Sequence, residues 1–117
     1  MGFAGMNLSD LNILDFRGQN GFPNDERGIC YEFNQSVQYF DRWTNIPRKV
    51  HKRYVVRTDT TNQGWRIDHL PPIGPAEAVR GLSDNKAYWN TAQEAATALG
   101  EVLDEIRTKT TTIVFGS

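Results

Sequence analysis

A chain of 117 residues has room for one domain and not two, and its thirteen aromatic residues can fill much of a small core without metal or disulfide. A formal net charge of −1 excludes a globally basic nucleic-acid binder and an acidic tail. The single cysteine, Cys30, excludes an intramolecular disulfide, and no apolar run nears the ~20 residues of a membrane span, so the expectation is an intracellular, cytoplasmic protein without a membrane partner.

The first six residues read as a flexible or vector-derived segment, because Met6 could itself initiate. Leu8–Phe16 fits two templates. Leu8, Leu11 and Leu14 suit a short helix or turn, the preferred reading, whereas Leu11, Ile13 and Asp15 alternate as a strand. Gly18 to Gly28 carries Asn20-Gly21, Pro23 and Asn24-Asp25 and is a loop. Phe22 within it is read as a plug on the core.

Gly28–Asn34 alternates, with Ile29, Tyr31 and Phe33 on one side. Ser36–Trp43 either continues that strand or turns into a short helix, and Thr44–Pro47 is a connection. Lys52–Thr58 and Gly64–Leu70 form a hairpin around Asp59–Gly64. Placing Thr58 opposite Trp65 sets Val56 against Ile67 and Tyr54 against His69, with Tyr54, Val56, Trp65 and Ile67 buried together. A slip of one residue would mix the two faces.

Pro71-Pro72 ends the second strand. Pro75–Val79 reads as one helical turn, with proline at its start and Gly81 past its end. Lys86–Trp89 reads as a short strand. Thr91-Ala92-Gln93-Glu94 matches a capping box that opens a helix to about Arg107. Ala92, Ala95, Ala96, Leu99, Val102, Leu103 and Ile106 make its apolar stripe, and Glu94, Glu101, Asp104 and Glu105 lie away from it. Gly100, costly within a helix, implies a strand in close approach. Thr110–Phe115 is rich in β-branched residues and reads as a last strand. The whole is α+β: an antiparallel sheet of four to five strands with one C-terminal helix on one face. Residues 88–96, a strand, turn and capped helix, resemble the close of small sheet-plus-helix DNA-binding modules. That likeness is one of local form and assigns no family.

Catalytic chemistry finds little support. Cys30 alternates with Ile29 and Tyr31, so it reads as a packed, inert thiol. Asp68 and His69 are adjacent and therefore point to opposite faces. Two histidines and one cysteine, far apart, do not have zinc-site spacing. Asp10, Asp15, Asp25 and Glu26 sit where turns and caps use carboxylates. No cofactor is implied.

Charge placement is more informative. Arg42, Arg48, Lys49, Lys52, Arg53 and Arg57 are six of the thirteen Lys and Arg residues, within sixteen positions. Arg53, Arg57 and Arg66 share the sheet face opposite Tyr54 and Val56, and Arg57 faces Arg66 across strands. Facing like charges repel, so removing both should leave stability unchanged or slightly raised. The plain reading is a solvated face partly neutralised by Asp59 and Asp68. The functional reading is an anion-recognising surface built from Arg48, Lys49, Lys52, Arg53, Arg57 and Arg66. Its expected partner is another protein, as for an adaptor, inhibitor or other regulatory protein. The alternative is nucleic acid, with Tyr54 or Trp43 stacking on bases. A small enzyme stands third.

Overall fold

A computed structural model describes residues 3–40, 43–59 and 64–115, with side chains described throughout these except at 37–40, 50 and 106–115. Five strands, β1 (Asn12–Asp15), β2 (Ile29–Phe40), β3 (Pro47–Thr58), β4 (Trp65–Leu70) and β5 (Glu77–Val79), pair antiparallel in chain order. One helix, α1 (Ala92–Phe115), packs on a single face. This is the expected α+β architecture.

The central register follows from alternation. Thr58 pairs with Trp65, Val56 with Ile67 and Tyr54 with His69. Tyr54, Val56, Trp65 and Ile67 are all buried under the helix. A slip of one residue would turn one strand's apolar set to the other face, so the hydrophobic pattern excludes it. The turn expected at 59–64 falls largely on residues outside the described ones.

The helix begins where Thr91 Oγ1 accepts the Glu94 amide at 3.1 Å, a cap of about 1 kcal/mol. Ala92, Ala95, Ala96, Leu99 and Leu103 meet the sheet, and Val102 is also buried. The alanines, having only a methyl, let the helix axis come close. Just before the helix, Trp89 and Trp65 exchange two backbone hydrogen bonds of 2.8 Å each. Gly64 makes this exchange possible. Its φ is +112°, and a Cβ there would stand 2.5 Å from the Trp89 carbonyl oxygen.

Four local expectations change. Pro75–Val79 is not a helical turn: Glu77–Val79 adds β5 to the edge of β4, pairing Val79 with Ile67 and Glu77 with His69. An isolated turn of helix lacks the length to sustain itself, whereas a bare strand edge offers partners at once. Lys86–Trp89 is not a strand; only Trp89 pairs, after a turn in which Asp84 accepts the Lys86 amide. Thr110–Phe115 is not a strand but the end of α1. Neither Gly nor Pro occurs between Glu101 and Phe115, so extending an existing helix needs no new nucleus. Leu8–Phe16 divides between both templates: a 3-10 turn at Leu8–Asp10, then β1.

The N-terminal segment packs between helix and sheet. Met6 and Leu11 are buried, and Phe3 stands edge-on to Phe33 at 5.6 Å. Asp104 accepts the amides of Phe3 and Ala4, and Gln93 Nε2 donates to the Met6 carbonyl. Gly100 thus admits the N-terminal segment, not a strand. A Cβ there would lie 2.2 Å from the Phe3 carbonyl oxygen and 3.0 Å from Met6 Cβ. Helix propensity alone would make Gly100→Ala stabilising by about 1 kcal/mol. The backbone clash reverses that expectation: Gly100→Ala should lower the melting temperature and raise hydrogen exchange at Phe3–Met6.

Candidate functional site

The face of the sheet away from α1 carries the charged residues. Arg57 faces Arg66, and Val55 faces Asp68 in the next row. Val55 and Asp68 are buried although the helix core lies on the other side. Asp68 has 0% exposure. Its Oδ2 accepts from Arg57 Nε at 2.7 Å, and its Oδ1 accepts from Arg66 Nε at 3.1 Å and Nη2 at 2.8 Å. Arg66 also reaches Asp59 at 3.5 Å and lies over the Tyr88 ring at 5.9 Å. Tyr88 donates its hydroxyl to Asp59 at 2.8 Å. The neighbouring carboxylates Asp68 and Asp59 hold the Arg66 guanidinium above its ordinary range against the opposing effect of burial.

This arrangement corrects the repulsion argument. Two arginines face each other, but a buried carboxylate sits between them and is hydrogen-bonded by both. Arg53, one row further on, pairs with Glu32. The three sheet-face arginines are therefore engaged with carboxylates of the same chain.

Beside them the loop from Arg17 to Arg27 folds toward the sheet. Gly21, Phe22, Pro23, Arg27, Arg57 and Cys30 border a cleft of about 410 Å³. Phe22 is not a core plug; it is 45% exposed and stacks on Phe16 at 5.0 Å. Burial pushes the Cys30 thiol up, while Arg57 and Arg53 act in the opposite direction. The loop carboxylates serve as turn and cap groups, as expected. Asp25 accepts the Arg27 amide, and Asp15 is held down to about 2 by hydrogen bonds from Arg17. A lowered carboxylate stabilises the fold above its usual range and loses that contribution as pH falls from about 3.8 to about 2. On so exposed a pair the effect is small.

The remaining cations occupy a different structure. β1 covers β2 only as far as Glu32, and β4 covers β3 only from Arg53 onward. Beyond those points, among the described residues, β2 and β3 pair only with each other, from Gln35–Lys52 out to Phe40–Pro47. The result is a two-stranded ribbon of about 20 Å at the usual rise per residue, along a molecule 50 Å in its longest dimension. Arg48, Lys49 and Lys52 lie on it. At its tip Trp43 is 95% exposed and Ile46 53% exposed. Arg42 falls outside the described residues.

The six cations thus form two groups: Arg53, Arg57 and Arg66 on the sheet, and Arg48, Lys49 and Lys52 on the ribbon. Tyr54 is buried and cannot stack on a base. Ser36–Phe40 takes the strand reading of its segment, whereas the extension of β3 back to Pro47 that makes the ribbon, and the burial of Asp68, were missed at the sequence level. Their signals were the unbroken run from Ile29 to Phe40 and the Arg66-x-Asp68 spacing, which places both on one face. Among the described residues no group of His, Cys, Asp and Glu could hold a metal ion, and no helix is long and apolar enough to cross a membrane. No protein-family model, curated protein or solved structure matches this chain.

Two outcomes follow. Replacing Arg57 and Arg66 by Gln strands a buried carboxylate and should cost about 3–5 kcal/mol in urea unfolding. Adding Asp68→Leu should recover most of that loss. Iodoacetamide should alkylate Cys30 in the native protein more slowly than in the urea-unfolded chain at pH 8.

Proposed function

We propose that this chain is a non-enzymatic binding protein of regulatory type that recognises another protein through the tip of the β2–β3 ribbon. The observation that carries this reading is the 95% exposed Trp43 beside the 53% exposed Ile46, at the end of a projection that also bears Arg48 and Lys49. Tryptophan and arginine dominate binding energy at protein interfaces, where an aromatic or aliphatic anchor fills a pocket and polar groups rim it. A partner with an apolar pocket and an acidic border fits that tip. The sheet-face arginines act in this scheme as internal ion pairs that stiffen the base of the ribbon.

A second reading has one observation in its favour. A two-stranded β-ribbon has the width that the major groove of duplex DNA admits, and Arg48, Lys49 and Lys52 would meet phosphates. Salt dependence separates the two. Phosphate binding weakens linearly in log–log terms, whereas protein association loses mainly on-rate.

The tagged chain and its Trp43→Ala/Lys49→Gln variant should be compared in pull-downs read by mass spectrometry. A specific protein partner should be retained by the parent and reduced at least about tenfold by the variant, given the ~1–2 kcal/mol carried by each anchor residue. Equal capture by both would remove the tip from the interface. Purified protein with a raised 260/280 nm absorbance ratio, binding a random duplex with a steep salt slope, would favour nucleic acid.

A further inference from the structure

The two strands of the ribbon have very different outer edges. The β3 side reads Pro47-Arg48-Lys49-Val50-His51-Lys52, and Lys and Pro are the residues that discourage a further strand from adding. The β2 side reads Phe33-Asn34-Gln35-Ser36-Val37-Gln38-Tyr39-Phe40. It holds no charge, no glycine and no proline, and it favours extended structure. β1 does not cover this edge, because its pairing with β2 ends at Glu32. At the root of the edge Gln35 is 8% exposed, and its Oε1 is buried without a hydrogen-bond partner.

Charge says what fits there. Residues 35–52 carry four Lys and Arg against one carboxylate, Asp41, while the rest of the chain carries nine against thirteen. The near-neutral chain is therefore two-signed: a basic ribbon on an acidic body. Two edge strands related by a two-fold axis perpendicular to the sheet run antiparallel. In that arrangement Phe40 of one copy lies near Phe33 of the other, and each ribbon tip runs back toward the partner's β1 and the exposed Asp10. A basic ribbon then meets an acidic body twice, once on each side of the axis.

We propose that the chain forms a symmetric dimer in which the outer edge of β2, residues Phe33–Phe40, pairs antiparallel with the same edge of a second copy. The two sheets then join into one. This surface is distinct from the Trp43 tip, so the dimer neither requires nor excludes the protein partner proposed above.

Sedimentation equilibrium of the full chain, from low to high micromolar, tests the proposal. The expected mass is twice the chain mass of 13.3 kDa at high concentration, with amide protection at 33–40 that rises with concentration. Ser36→Lys/Gln38→Lys places charges along the free edge and should weaken association at least tenfold while leaving the circular dichroism spectrum unchanged. The single variant Gln38→Lys should act in the same direction if the double variant folds poorly. Trp43→Ala should leave the dimer intact, which separates this interface from the ribbon tip. Raising salt should weaken association. A chain-mass species at every concentration would overturn the proposal. So would a dimer untouched by the edge lysines, one abolished by Trp43→Ala, or one in which residues 33–40 gain no protection.

Discussion

Asp68 is the residue on which the charged half of this molecule depends. A single helix can cover only one face of a sheet, so the other must satisfy its own polar groups. Here a carboxylate is removed from water at the middle of that face. A lone buried charge would be prohibitively costly, and what makes it tolerable is two guanidinium groups meeting its two oxygens. Those arginines face each other across β3 and β4 for that reason. Asp59 and Tyr88 extend the arrangement toward the segment preceding α1, so the electrostatic layer is tied to the helix-bearing part of the chain.

Unequal strand lengths do the rest. Both β2 and β3 have twelve residues, whereas β1 has four, β4 six and β5 three. The short strands gather near one end, where the helix and N-terminal segment also pack. The surplus of the long pair projects. The sheet arginines pair with Glu32 and Asp68, and Arg48, Lys49 and Lys52 lie on the ribbon, so the basic cluster is divided between two parts of the fold. Counting its charges alone treats both groups as one surface.

How much was legible beforehand depended on whether a pattern was local and periodic. The shared face of Tyr54, Val56, Trp65 and Ile67 followed from alternation on two adjacent strands, because a one-residue slip exposes half of the apolar set, and the turn between them set which residues pair. The helix start followed from Thr91, and its buried stripe from spacing. Val79, by contrast, pairs with β4 only because an edge was vacant, and nothing local in Pro75–Val79 announces that. The β-branched run after Thr110 favours strand by itself but continues a helix already formed. Gly100 was correctly read as a point of close approach; the approaching segment lies about a hundred residues away in sequence, beyond any window of local pattern. At the candidate site, the shared face of Arg53, Arg57 and Arg66 was legible, whereas the burial of the carboxylate between two of them was not. Burial is a property of the assembled sheet.

The hydrogen bonds from the Phe3 and Ala4 amides to Asp104, and from Gln93 to the Met6 carbonyl, have a consequence for the order in which the protein takes shape on a ribosome. The meander can pair strand by strand as it emerges, since each strand finds its neighbour in the preceding one. Its apolar face cannot be covered then, because the helix is synthesised after all five strands. Phe3, Met6 and Leu11 must wait alongside that bare face until residues 92–104 have left the exit tunnel. Over that interval the nascent chain exposes Tyr54, Val56, Trp65 and Ile67 together, the kind of surface that chaperones bind and that aggregation exploits. Slow translation through residues 71–91 would lengthen the exposure, and rapid delivery of the helix would shorten it.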